Sequence, residues 1–163
     1  MTPYPFQRKL IDSLSGLPRC ALYLDMGLGK TFISTEIAKR NNNAIVVICQ
    51  KSKINDWVNH LKSETDKHVI GFTSAVSDEK RIFSSFSSDD AIVVNYDLVW
   101  RRNGFKKLRG YTLILDESSL IQNDKAKRTS YIMSMLPDNV ILCSGTPVGG
   151  KYENLWSQIN MLG

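Results

Sequence analysis

From residue 19 onward the chain repeats one alternation. A short unbroken apolar run gives way to a polar turn, then to a longer stretch whose apolar residues recur every three or four positions. Five runs stand out: Cys20–Leu24, Ala44–Cys49, Ala91–Asn95, Tyr111–Leu115 and Val140–Cys143. A weaker sixth is His68–Phe72. They are too short for helices and rich in Val, Ile, Leu and Tyr. Continuous rather than alternating apolarity is what strands need in a parallel sheet covered on both faces. Helical stripes fall around and between them. Phe6, Leu10, Ile11 and Leu14 share a face closed by Gly16 and Pro18, and Phe32, Ile33 and Ile37 form a stripe stopped by Asn41–Asn43. Ile54, Trp57, Val58 and Leu61 follow, with Ser52 as the expected N-cap. Three more stripes are Ile82, Phe83 and Phe86; Tyr131, Ile132, Met135 and Leu136; and Leu155, Trp156, Ile159 and Leu162. Strands alternating with helices predict one α/β domain over residues 1–163, with a mostly parallel central sheet, helices on both faces and right-handed crossovers. There are no repeats, and "SSFSSDD" (Ser84–Asp90) reads as a polar loop rather than a linker.

Three of the predicted strands end on chemistry. "LYLDMGLGKTF" (Leu22–Phe32) runs from strand to helix through GKT, the end of the phosphate-cradling P-loop pattern G-x-x-x-x-G-K-[ST], although Leu24 stands where that pattern has its first Gly. A bare glycine-rich turn would give similar letters, but the strand–GxGKT–helix order favours a phosphate site. Gly27 and Gly29 let the loop turn its amides inward, and the helix N-terminus adds partial positive charge. Lys30 would reach the β- and γ-phosphates of ATP, and Thr31 would ligate Mg²⁺. "YTLILDESS" delivers Asp116 and Glu117 at a strand's C-terminal end, where ligands bind in open α/β sheets. Asp116 would hold Mg²⁺, and Glu117 would deprotonate an attacking water. Read alone, an Asp-Glu pair there is as well explained as a solvated turn. In "VILCSGTPVGG", Ser144, Gly145 and Thr146 form a tight turn able to hydrogen-bond the carboxylates or sense phosphate, or simply to turn the chain.

Composition changes little. A chain of 163 residues can bury roughly 70% of its unfolded surface. The net charge of +5 suits a polyanionic partner and equally a basic surface with none. The basic clusters Arg101–Arg109 and Lys125–Arg128 leave the same two readings open. Cys20, Cys49 and Cys143 each sit in an apolar run without metal-like spacing, which predicts buried reduced thiols and a cytoplasmic location. No leader and no apolar run near 18 residues is present, so no membrane role is expected. His60 and His68 lack partners at ligand spacing and read as structural or exposed.

In their order, "DMGLGKT", "DESS" and "SGTP" resemble the superfamily 2 helicase-like ATPases, most closely their SNF2-like branch of DNA translocases. The resemblance spans nearly the whole chain. It implies a RecA-like P-loop fold and a nucleotide cradle of Gly27, Leu28, Gly29, Lys30 and Thr31. Asp116 and Glu117 would act with Lys30 in ATP hydrolysis, and Ser144, Gly145 and Thr146 in coupling. Pro5-Phe6-Gln7 resembles the element in which Gln7 would recognise adenine. "VVICQKSKINDWVNHL" resembles motif Ia, with Gln50 at a usual Pro; Lys51 and Ser52 would contact DNA phosphates and Trp57 would pack the following helix. "VVNYDLV" and "SGTPVGGKYENLWSQINML" resemble later family segments. The family's Asp-Glu-Ala-His is here Asp-Glu-Ser-Ser, so Ser119 replaces a His that links nucleotide state to DNA binding, and Leu24-Asp25 replaces Asp-Glu. The implied partners are double-stranded DNA and a second RecA-like lobe carrying arginine fingers. The isolated, monomeric lobe is then expected to turn over ATP weakly or not at all. Met1 close before Gln7 reads as a natural start and Gly163 as a truncated end, with a compact phage or mobile-element parent in a host cytoplasm as the expected source. The other readings are a non-catalytic module that binds nucleotide or DNA to regulate a partner, and an unrelated ring-forming P-loop ATPase, which the SGTP element disfavours.

Overall fold

All six apolar runs pair into one sheet. A computed structural model of the chain describes residues 1–73, 78–148 and 150–163, so Gly149 of "SGTPVGG" lies outside the described residues. The strands are β1 (Arg19–Tyr23), β2 (Ala44–Cys49), β3 (His68–Phe72), β4 (Asp90–Asn95), β5 (Tyr111–Asp116) and β6 (Asn139–Ser144). They are ordered β1-β6-β5-β2-β4-β3 and every pairing is parallel. The helices are α1 (Pro5–Leu14), α2 (Lys30–Arg40), α3 (Ile54–Glu64), α4 (Glu79–Ser85), α5 (Tyr96–Val99), α6 (Lys127–Met133) and α7 (Trp156–Leu162).

The sheet is buried on both faces. In β2, Ile45, Val47 and Cys49 pack under α1, α2 and α3, while Ala44, Val46 and Ile48 belong to the core under α4 to α7. Strands are added outward from β1 through β2 to β3 with helices on the first face. The chain then returns through β4, β5 and β6 with helices on the second. Reversal of direction with a change of face keeps every crossover right-handed. At the lower end of the sheet the buried Thr112 hydroxyl accepts from Asn41 Nδ2 at 2.9 Å and donates to Asn43 Oδ1 at 2.7 Å. The asparagines that stop α2 therefore also satisfy a polar group inside the sheet.

The structure corrects the sequence expectation in three places. Ser52 does not cap α3. The chain tightens into a 3-10 turn over Lys51–Lys53 that runs straight into the helix, with Lys53 at the cap position and its N–H on Gln50 O at 2.9 Å. The stripe on α7 points the other way: Trp156 and Ile159 are 61% and 55% exposed, whereas Ser157, Gln158 and Met161 are buried. Polar partners waiting under Gln158 turn that face inward. Helix α6 stops at Met133, before Leu136, which is exposed. The cysteines are as expected, free and buried, and burial pushes the Cys20 thiol up to about 11. No helix among the described residues is long and apolar enough to cross a membrane.

Among the described residues, two non-glycine residues carry left-handed backbone, Asn42 (φ 52°) and Glu117 (φ 51°). Asn tolerates that region; for Glu it costs about 1–2 kcal/mol. Glu117→Gly is expected to raise the unfolding free energy by up to about 1 kcal/mol, the strain relief being offset in part by the freer unfolded chain; urea denaturation measures it, and a destabilised variant contradicts the strain. Leu61, fully buried on the inner face of α3, gives the contrasting case. Leu61→Ala should cost about 2–5 kcal/mol in the same assay.

Candidate functional site

Because every strand is parallel, all six C-terminal ends open on one edge. Register sets the order there: Tyr23 lies beside Ser144, Cys143 beside Asp116, and Leu115 beside Ile48. The glycine loop after β1, the S-G-T-P turn after β6, the Asp-Glu corner after β5 and the Lys51 turn after β2 thus stand in a row. This is the edge at which ligands bind in open α/β sheets.

The loop between β1 and α2 turns through two left-handed glycines, Gly27 (φ 83°) and Gly29 (φ 82°). Gly29 is also the N-cap of α2, and no side chain caps the helix. A Cβ at Gly29 would lie 2.5 Å from Gln7 Nε2, so any other residue would strain the left-handed backbone and also push the Gln7 amide aside. Gln7 is buried and bridges: its Oε1 accepts from Tyr4 N–H at 2.9 Å and its Nε2 donates to Leu28 O at 3.2 Å. Lys30 Nζ donates to the carbonyls of Leu24 (2.8 Å) and Asp25 (3.1 Å). Both are backbone groups, so the departure from Asp-Glu at these positions leaves the lysine's contacts intact.

The Asp-Glu corner is held from two sides. Trp57 of α3 is buried, as its stripe predicts, but its Nε1–H also donates to Asp116 Oδ2 at 2.8 Å. That bond fixes the carboxylate and leaves Oδ1 for another partner. Below it, the Tyr96 hydroxyl donates to Asp116 O at 2.7 Å. Burial, reinforced by Asp116, raises the Tyr96 pKa well above its ordinary value, so the phenol stays a donor. Burial and Asp116 likewise push the Cys49 thiol up to about 12, which keeps a second charge away from the carboxylate. Lys30, Thr31, Trp57, Asp116 and Glu117 line one cleft of about 510 Å³.

 A separate cleft of about 540 Å³ lies beside it.

This second cleft lies over the ends of β2, β3 and β4 and is lined by Lys51, Thr73, Asn95 and Arg101, among others. Ser52 is exposed next to it. The two basic clusters, far apart in sequence, meet at Trp100: Arg101 lies 5.2 Å and Lys127 5.9 Å from its ring centre. Some of that charge is neutralised, since Arg102 pairs with Glu79 at 3.6 Å and Arg128 with Asp97 at 3.7 Å. Both histidines have partners: His60 Nε2 lies 3.1 Å from Thr35 Oγ1, and His68 Nδ1 lies 3.1 Å from Asp90.

The S-G-T-P turn comes close to the lysine, a Cβ on Gly145 falling 3.8 Å from Lys30 Nζ. Ser144 Oγ accepts from Thr146 N–H at 3.1 Å and so shapes the turn itself. Among the described residues, its hydrogen bonds outside the turn run to Gln122 and to α7 rather than to the carboxylates. The sequence thus singles out the motif residues but not the groups that hold them. Trp57 reads as packing because periodicity does not show where an indole N–H points, and Tyr96 sits inside a segment whose hydroxyl carries no pattern of its own.

A model of the SNF2-related domain family matches residues 11–163. The TATA-binding protein-associated factor mot1 of Aspergillus fumigatus is 25% identical over 97% of this chain, which spans 10% of that protein. A mouse SWI/SNF-related, matrix-associated, actin-dependent regulator of chromatin (subfamily A member 1) is 28% identical over 85% of the chain, which spans 14% of its length. The structure described as the Sulfolobus solfataricus SWI2/SNF2 ATPase core in complex with dsDNA superposes with a TM-score of 0.85 at 23% identity, over 100% of this chain and 36% of that one. The fold is therefore that of one RecA-like part of such a core, and the chain belongs to the SNF2-related domain family.

Proposed function

We propose that this chain is the ATP-binding lobe of a DNA-dependent ATPase that moves on double-stranded DNA. The observation that carries the reading is the single cleft in which Lys30 and Thr31 face Asp116 and Glu117. Its residues fit a magnesium nucleotide. The uncapped N-terminus of α2 and the Lys30 ammonium suit phosphate oxygens. The Thr31 hydroxyl and the Asp116 carboxylate are hard oxygen donors of the kind Mg²⁺ takes, one or two from protein and the rest from phosphate and water. When bound, the ion would neutralise charge on the phosphates. Glu117 would take the proton of a water whose oxygen bonds the γ-phosphorus as the bond to the bridging oxygen of ADP breaks. Gln7, adjoining the loop through Leu28, is the residue proposed to meet the adenine.

Lys51 and Ser52 are proposed to meet DNA phosphates, and the Arg101 side of the second cleft extends that surface. Coupling is assigned to Ser144, Gly145 and Thr146. A second lobe supplying arginines completes the site, such an arginine being worth about 10³-fold or more in related phosphoryl transfers. Turnover by these residues alone is accordingly expected to be negligible, and a steady-state ATPase assay with and without duplex DNA decides it: brisk DNA-stimulated hydrolysis would show that no second lobe is needed.

Two measurements test the binding roles. By calorimetry, Lys30→Ala should weaken Mg·ATPγS binding by about 10- to 100-fold, the worth of a lost charge-assisted hydrogen bond. Unchanged affinity would place the nucleotide elsewhere. By anisotropy with a short labelled duplex, Lys51→Ala and Arg101→Ala should each weaken binding regardless of sequence and lower the salt slope by about 1; an unaltered slope removes that residue from the interface.

A further inference from the structure

Helix α7 carries none of the catalytic residues, yet one of its side chains joins three of the loops that meet at the cleft. Gln158 is fully buried, with 0% exposure. Its Oε1 accepts from Ser118 Oγ at 2.6 Å and from Tyr23 OH at 2.9 Å, and its Nε2 donates to Pro147 O at 2.8 Å. A carbonyl can only accept, so the amide nitrogen must face Pro147 and the amide oxygen must face the two hydroxyls. Both hydroxyls therefore donate, and the orientation of the amide is fixed.

The three partners are placed by the three motifs. Tyr23 ends β1 just before the glycine loop, Ser118 follows Glu117, and Pro147 closes the S-G-T-P turn. Glu117 lies between two anchored groups: Tyr96 holds the Asp116 carbonyl before it, and Gln158 holds the Ser118 hydroxyl after it. A left-handed glutamate persists only where its surroundings over-determine it. The resemblance places Ala at Ser118 and a linking His at Ser119, so the hydroxyl that reaches Gln158 is a departure of this chain from that pattern.

We propose that Gln158 is a positioning residue for Glu117, and that it ties the S-G-T-P turn to the Glu117 corner through Ser118 and Pro147. A shift of the corner on nucleotide binding is then passed to the turn by a rigid amide. This rests on the nucleotide reading above. A glutamine that merely fills a polar hole in the core would hold the fold and transmit nothing.

The link can be cut with little left unsatisfied. In the double variant Ser118→Ala with Gln158→Leu, Tyr23 is 38% exposed and its hydroxyl can turn to water, while the Pro147 carbonyl keeps a longer bond from Gln122 Nε2 at 3.4 Å. Ser118→Ala alone cuts the same link and serves if the double variant loses its cooperative melt. Hydrogen–deuterium exchange, with and without Mg·ATPγS, is read at residues 27–31 and at 144–148. In the unaltered chain nucleotide should slow exchange at both, by about tenfold at the turn, within the usual range of coupling between sites. In the variant the slowing at 27–31 should remain and that at 144–148 should fall below about twofold. Slowing of the turn that survives in the variant overturns the proposal and spares the nucleotide reading. Loss at both segments in a folded variant also overturns it, because Gln158 would then be supporting the site generally. No slowing at 27–31 in the unaltered chain overturns the nucleotide reading and this proposal with it.

Discussion

The site depends on one constraint, that every strand of the sheet runs the same way. Parallel strands cannot be joined by tight turns, so each connection must cross a face of the sheet, and both faces become covered. That covering explains the unbroken apolar runs. It also leaves one edge where the backbone must emerge from the core and where polar side chains can be solvated. Glycine loop, Asp-Glu corner and S-G-T-P turn, well separated in sequence, become neighbours because β1, β6 and β5 are neighbours.

Stability and chemistry pull apart at that edge. A carboxylate at the end of a buried strand is held by an indole N–H, and the residue after it accepts a strained backbone conformation. The bond also satisfies a buried donor, whereas the strained backbone only costs the fold. Both orient oxygen atoms toward a shared cleft, the pattern expected where surrounding structure maintains strain for function. The lysine is handled differently, resting on loop carbonyls that any sequence would supply.

Much of this was legible in the sequence because a parallel sheet writes itself in continuous apolar runs. The predicted strands agree with the observed ones to within about a residue, and even the weak run at His68–Phe72 is a strand, on the sheet edge where less burial is needed. Side-chain direction was harder to read. The stripe of α7 pointed to Trp156 and Ile159, yet the buried face carries Gln158, since three fixed polar partners outweighed the apolar spacing. The Ser52 cap failed for a similar reason: a 3-10 turn absorbed the residue that propensity favoured. The four-residue α5 left no periodicity to detect, although it brings Tyr96 under Asp116.

The groups that brace the acidic corner, Trp57, Tyr96, Ser118 and Gln158, are all uncharged, and Tyr96 is held far from ionisation. Dissolved ions screen charge–charge attraction over a Debye length of about 8 Å at physiological ionic strength but have little hold on short hydrogen bonds donated by neutral groups. The bonds that brace the corner are thus little affected by the ionic medium, whereas the surface proposed for Lys51 and Arg101, one and two strands away, would be governed by it. Salt would weaken the proposed hold on a polyanion without disturbing the bonds that brace the carboxylates.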